Sequence, residues 1–252
     1  MLKAVVFDMD DTLLSINLTP FCALWAADVT NIMCRISRKR TLDVGHGLAS
    51  AMYALNSNVR PGTDNRTNRE FFNERILRDC GVDLNDPVVF EALDYYEREV
   101  LPLKNGPVIS ARTRKGAHEA LETVIDRGLR IALFTNPSFS ATGIKCRMGW
   151  GGLDDIPFER ITTMENSTRC KPDAVYYLEN LQEMGLEPQE VLMVGNDPKR
   201  DFPTLDCGIQ TAYVGHGRPG RATWSGSMER FAADFDSVVD AFERKGEQGT
   251  VL

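Results

Sequence analysis

Residues 4–14, Ala-Val-Val-Phe-Asp-Met-Asp-Asp-Thr-Leu-Leu, constrain this chain more than any other stretch. Val5-Val6-Phe7 is a short apolar run of strong β preference that ends abruptly in acids. A strand buried on both faces of a parallel sheet reads this way when it delivers polar groups at its carboxyl end. Asp8 and Asp10 are two positions apart, so a continuing strand turns both carboxylates to one side. Carboxylates held that close repel unless a cation lies among them or one keeps its proton. One carboxylate can act as a nucleophile while its neighbour moves protons. Two solvated aspartates at a strand exit are the plainer alternative, and this stretch alone does not separate them.

A sheet of that kind needs strands alternating with helices, and residues 107–252 supply them. Residues 113–127 carry Ala117, Ala120, Leu121, Val124 and Ile125 at helical spacing, and Gly128 ends the run. Residues 130–134 read as a strand running into Thr135-Asn136-Pro137, followed by a helical piece over 140–148 and a short strand near 160–163. Pro172 is expected in the first turn of the next helix, with Gly185 at its end. Residues 191–194 form a buried strand ending in Gly195-Asn196-Asp197, and residues 211–214 the last clear one. This predicts an α/β fold, a Rossmann-like three-layer core with a parallel sheet covered by helices on both faces. Residues 246–252 read as a frayed end.

Between about Ser15 and Gly106 no strand-like run occurs. Helical patterns cover residues 20–37, 42–55, 67–80 and 87–101, with Gly81 as a stop and Asp86-Pro87 as a start. Residues 56–68 read as an exposed loop. Arg60, Arg66 and Arg69, in and just after this loop, either meet a charged substrate or simply face solvent. The expected division is a core of residues 1–15 and 107–252 with an all-helical lobe, 16–106, inserted early.

Composition narrows the partners. The formal charge of −7 argues against a nucleic-acid-binding surface. It leaves room for an anionic substrate, since a local site can be positive inside an acidic protein. The six cysteines form no C-x-x-C pair, which suits reduced thiols in a cytoplasmic protein rather than a disulfide frame or zinc site. The first strand begins too early to leave room for a targeting leader, and no apolar stretch is long enough for a membrane span.

The chemistry is expected where strands end in polar groups, because open parallel sheets bind ligands at their carboxyl edge. Three such ends carry Asp8 and Asp10, Thr135-Asn136, and Asn196-Asp197 with Asp201 beyond. Lys171, just before a helix, can reach the same edge. A carboxylate nucleophile, a proton carrier, a hydroxyl, a cation and an acid pair together suit phosphoryl transfer, where catalysis is mainly positioning and neutralisation of oxygen charge.

These residues resemble the four motifs of the haloacid dehalogenase-like hydrolase superfamily. Asp8-Met9-Asp10-Asp11-Thr12 matches its D-x-D-x-T, Leu133-Phe134-Thr135-Asn136 its strand ending in Thr or Ser, Lys171-Pro172 its lysine, and the segment from Val194 to Asp201 its acidic pair. All four stand in order across the core, and the helical lobe resembles that family's first class of cap. The resemblance implies a phosphatase acting on a small phosphorylated metabolite. Asp8 would form an aspartyl-phosphate, and Asp10 would protonate the leaving alcohol and then activate water. Thr135, Asn136 and Lys171 would bind the phosphate. Mg²⁺ would be held by Asp8, the backbone carbonyl of Asp10, and Asp197, with Asp201 steadying Lys171 or a metal-bound water. Two positions depart from the pattern: Asp11 stands where Gly is common, and Asn196 where some relatives have an acid. A phosphomutase, a haloacid dehalogenase and a non-catalytic binding relative are the alternatives, and Asp10 argues against the dehalogenase.

Overall fold

The computed structural model of the chain describes residues 1–203 and 207–249. Strand β1 (Ala4–Phe7) is buried along its whole length. The chain then turns back at once. Strand β2 (Leu14–Ser15) pairs antiparallel with β3 (Arg112–Thr113), and this short ribbon brackets everything between them. The bracketed segment is helical: α1 (Leu18–Ser37), α2 (Thr41–Asn56), α3 (Asn68–Cys80) and α4 (Pro87–Tyr95). Local chemistry sets the starts of the last two. Thr67 and Glu70 form a reciprocal capping box ahead of α3, and Asp86 accepts from the Val88 and Val89 amides with Pro87 in the first turn of α4. Gly47 lets α2 approach α3 closely, since a Cβ there would lie 2.8 Å from the Cβ of Cys80.

The helical stretch expected over 87–101 is present but changes pitch. It is α-helical to Tyr95, passes through one wide turn at Tyr96–Val100 and tightens at Leu101–Lys104. Pro102 has no N–H to offer the carbonyl four residues back, so a regular helix cannot continue there.

The main sheet has the order β4-β1-β5-β6-β7, all parallel, adding β4 (Arg130–Leu133), β5 (Val191–Gly195), β6 (Gln210–Val214) and β7 (Trp224–Gly226) to β1. Alternate residues of β1 enter different layers. Val5 and Phe7 join a core with Leu121 and Val124 of α5 (Ala117–Asp126), Phe231 of α8 (Met228–Ala233) and Val238 of α9 (Phe235–Gly249). This core also takes in Ile144 and Met148 of α6 (Ala141–Trp150). Ala4 and Val6 face the opposite side, packed with Tyr176, Tyr177 and Leu181 of α7 (Ala174–Glu183). Each fully buried Val, Leu or Phe stabilises the fold by about 1.5–3 kcal/mol, so both layers are held chiefly by burial.

Four local expectations change. Helix α5 starts at Ala117 because Arg112–Thr113 are taken by the ribbon. Pro172 lies outside α7, whose cap is Asp173, accepting from the Val175 amide. Residues 160–163 make only a single bridge, Ile161 to Leu133, rather than a strand. Strand β7 went unread because its three residues are only half-buried and carry no apolar run. Of the end expected to fray, residues 246–249 continue α9, and 250–252 lie outside the described residues. No described helix is long and apolar enough to cross a membrane.

The loop between α2 and α3 is sewn to the core. Asn58 exchanges both its amide groups with the backbone of Cys170, donating at 3.0 Å and accepting at 2.8 Å. The fully buried Asn68 donates to the Pro137 and Arg169 carbonyls, and Arg169 donates back to the carbonyls of Pro61, Gly62 and Asp64. The three arginines noted in this region are engaged within the protein. Arg60 stacks on Phe71, Arg66 pairs with Asp64 and Glu74, and Arg69 pairs with Glu165.

Candidate active site

Phe7 is level with Leu133 on one side and with Val194 on the other, so three strands end at one height. Asp8, Thr135 and Asn196 therefore leave the sheet along a single edge. Asp8 and Asn196 open into a cleft of about 540 Å³ between the core and the helical insert, lined also by Asp10, Asn136, Lys171, Asp197 and Asp201. Thr135, just before Asn136 in sequence, is buried and is not among the lining residues.

Asp8 and Lys171 form the buried centre of this edge. The Lys171 ammonium donates to Oδ1 of Asp8 and to Oδ1 of Asp201, each at 2.8 Å. Burial is the largest influence on Asp8, and with the charge of Asp201 it pushes the carboxyl up to about 7 against the pull of Lys171. Burial also works against the ammonium, but Asp201 and Asp8 outweigh it and hold Lys171 above its ordinary range. The second oxygen of Asp201 accepts from the Asp197 amide at 2.9 Å. Gly195 is required for this approach, because a Cβ there would collide with the Asp201 side chain.

The two departures from the motif pattern have local explanations. Asp11 adopts a left-handed backbone, φ 57°, the conformation that favours Gly and that Asp tolerates better than most residues. Asn196 accepts from the Thr12 hydroxyl at 2.9 Å, and the same hydroxyl lies 3.2 Å from Oδ2 of Asp8. Asn136 is heavily committed: it accepts from the Lys171 amide and donates to Asn56 and Ser138. Thr135 is buried, and its carbonyl accepts from the hydroxyls of Thr162 and Tyr176, which shapes the strand exit from behind.

The same cleft holds a residue that the motifs did not reveal. Arg147 of α6 donates from Nη1 to Oδ2 of Asp10 at 2.5 Å, with its guanidinium carbon 5.3 Å from the ring centroid of Phe21 and 4.7 Å from that of Phe139. The sequence held a signal. Ile144 and Met148 mark the buried face of α6, and Arg147 lies on that same face.

The residues present fit a hard divalent cation such as Mg²⁺. Among the described residues no three His, Cys, Asp or Glu side chains gather as a metal-binding group. What the cleft offers instead is the carboxylates of Asp8 and Asp197 beside the backbone at Asp10, an all-oxygen set with few protein ligands. Mg²⁺ keeps several waters and needs no more than this. A cation beside Asp8 would also favour the ionised carboxylate that burial and Asp201 oppose.

With that geometry described, the comparisons with known proteins are decisive on family. The sequence profile of haloacid dehalogenase-like hydrolases matches residues 2–206. The chain belongs to this family. N-acetylmuramic acid 6-phosphate phosphatase of Pseudomonas aeruginosa is 27% identical over 221 residues, covering 86% of this chain and 83% of that protein. A HAD phosphatase from Thermococcus onnurineus has the same fold, with a TM-score of 0.57, 18% identity, and coverage of 93% of this chain and 98% of the other. So does a HAD hydrolase of Bacillus subtilis whose crystal structure is described as bound to magnesium, at TM-score 0.51, 16% identity, and coverage of 93% and 99%. The Rossmann-like parallel sheet and the hydrolase class thus rest on family as well as on geometry.

Proposed function

We propose that this HAD-like hydrolase is a Mg²⁺-dependent phosphatase that cleaves a small-molecule phosphomonoester through an aspartyl-phosphate on Asp8. The observation that carries this reading is the Asp8–Lys171–Asp201 clamp at the carboxyl edge of the sheet, with Asp10 two residues beyond the nucleophile. The similarity to a phosphatase of Pseudomonas aeruginosa supports it. We take residues 1–15 and 107–252 as the catalytic core and 16–106 as a cap that sets specificity. We take the six scattered cysteines, none of them in a C-x-x-C pair, as reduced thiols of a cytoplasmic protein.

In this mechanism Lys171 and Thr12 orient the Asp8 carboxylate. An Asp8 oxygen attacks phosphorus, the ester P–O bond breaks, and Asp10 gives a proton to the departing alkoxide. Asp10 then takes a proton from a water that attacks the same phosphorus, the Asp8–P bond breaks, and Asp8 is restored. Lys171 offsets the negative charge shared among the phosphoryl oxygens, and Thr135 contributes a hydroxyl at the strand end. Mg²⁺, held by Asp8, the Asp10 carbonyl and Asp197, would neutralise phosphate charge so that a dianion can enter beside three carboxylates.

The test is phosphate release from a panel of phosphorylated metabolites, with Mg²⁺ and with EDTA. Turnover of at least one metabolite that vanishes in EDTA and returns with Mg²⁺ is expected. Undiminished turnover in metal-free buffer would refute the metal assignment, and no release from any ester would refute the phosphatase reading.

A further inference from the structure

Within that phosphatase reading, we propose that Arg147 is the receptor for a carboxylate carried by the substrate at a distance from its phosphate. Arg147 is 1% exposed, yet only Nη1 has a hydrogen-bond partner among the described residues. Nε and Nη2 are both buried and have none. These two atoms form one edge of the planar guanidinium, and that edge matches the two oxygens of a carboxylate. The protein uses the same edge elsewhere: Arg130 grips both carboxylate oxygens of Glu159 with its Nε and Nη2. Unmade hydrogen bonds at a buried cation are costly, so an arginine left with an unpaired fork needs an explanation beyond holding Asp10. A single contact to Asp10 would be served by a lysine.

The surroundings select the ligand. Phe21 and Phe139 flank the guanidinium, and Cys22 and Met52 continue the wall of the same cleft. Such a wall fixes the plane of the fork while adding no further cation and only the weak donor of the Cys22 thiol. A carboxylate is satisfied there by one bidentate arginine, whereas a second phosphate would be left with oxygens facing apolar groups. Phe21 belongs to the inserted helices and Phe139 to the core, so the receptor lies where the two meet. A substrate seated on it would span the cleft from Arg147 to Asp8, with its ester oxygen near Asp10.

The experiment compares matched phosphomonoesters with Mg²⁺: ω-carboxyalkyl phosphates of increasing chain length against their neutral carboxamide counterparts. The readout is the ratio of kcat/KM, acid over amide, which does not depend on the folded fraction. Wild type is expected to prefer the acid by about 10–100-fold at the best chain length. In Arg147→Met the ratio should fall to about 1, and Arg147→Lys should keep only part of it, although both variants lose turnover on every ester through Asp10. A residue that merely positions Asp10 would lower both rates and leave the ratio unchanged. Wild type treating acid and amide alike, or Arg147→Met keeping the preference, overturns the inference while the phosphatase reading stands. Calorimetric titration of wild type with the matching carboxyalkyl and carboxamidoalkyl phosphonates tests recognition without turnover. Equal affinities, or no binding of the acids, overturn the inference even if no ester is hydrolysed, an outcome that refutes the phosphatase reading separately.

Discussion

On the Lys171 wall of the cleft, Oδ1 of Asp8 and both oxygens of Asp201 accept hydrogen bonds, while Oδ2 of Asp8 lies 3.2 Å from the Thr12 hydroxyl. Beside Arg147, two guanidinium nitrogens and Oδ1 of Asp10 are buried without a partner among the described residues. The first region is largely paired before any ligand arrives, and preorganisation of that kind suits a group that every substrate shares. The second is left unpaired and, on the proposal above, suits the part of the substrate that differs from one to the next. On the proposed reading, chemistry and selection would be separated across a single cleft, with Asp10 at the boundary.

The largest expected effect breaks the comparison at that boundary. Asp10→Asn should cost about 10²–10⁴-fold in turnover of alkyl phosphates, the usual worth of general acid catalysis. An aryl phosphate such as p-nitrophenyl phosphate has a leaving group that needs little protonation, so its first step should survive. Rapid-mixing kinetics should show a burst of nitrophenolate followed by slow turnover. Equal losses on both esters without a burst would take the proton-transfer role away from Asp10.

A smaller effect probes how rigid the paired wall is. Gly195→Ala places a methyl group against Asp201, which must move and loosen Lys171. Turnover of all esters should drop by about 10-fold or more, with a loss of about 1–3 kcal/mol in urea unfolding, the usual cost of overpacking. The acid-over-amide ratio should hold, since Arg147 is untouched. A shift in that ratio would show that the two regions are not independent.

The smallest effect is one of stability, and it concerns the metal-free protein. In the folded state Asp8 is raised from 3.8 to about 7, so the native protein binds this proton more tightly than the unfolded chain does. Its contribution favours folding fully below 3.8 and is lost as pH rises through about 7. Two carboxylates ~5 Å apart repel by roughly 3 kcal/mol at an effective dielectric of 20, before solvent and Lys171 reduce it. Asp8→Asn in EDTA should therefore match wild type at acid pH and exceed it by about 1 kcal/mol above neutrality. It should also gain less from added Mg²⁺. Thermal unfolding across the pH range reads both, and a mutant that melts well below wild type throughout would make Asp8 a structural residue.

Much of the Lys171 wall was legible in the sequence because its residues sit where strands end. Apolar runs that stop in Asp, Thr or Asn announce themselves in a one-dimensional pattern, and the level pairing of Phe7 with Leu133 and Val194 then brings them together. Arg147 was not read, because it lies mid-helix and meets Asp10 across 137 positions of chain. Only its phase with Ile144 and Met148 marked it. Strand β7 and the ribbon of β2 and β3 escaped for another reason. Two or three residues are too few to show a period, and pairing with a partner rather than local preference makes them strands. The engaged state of Arg60, Arg66 and Arg69 was equally hidden, since a loop rich in Asn, Gly and Pro reads as solvated until its partners are known.

The paired amides of Asn58 and Cys170 have a mechanical consequence. The side chain of Asn58 imitates a strand neighbour to the backbone one residue before Lys171, and Arg169 and Asn68 extend the same seam. Separating the inserted helices from the sheet along this line pulls directly on the peptide that carries the lysine. Melting of the insert apart from the core is therefore expected to disturb the clamp, and the amides along the seam are expected to exchange with similar protection, which hydrogen exchange reads.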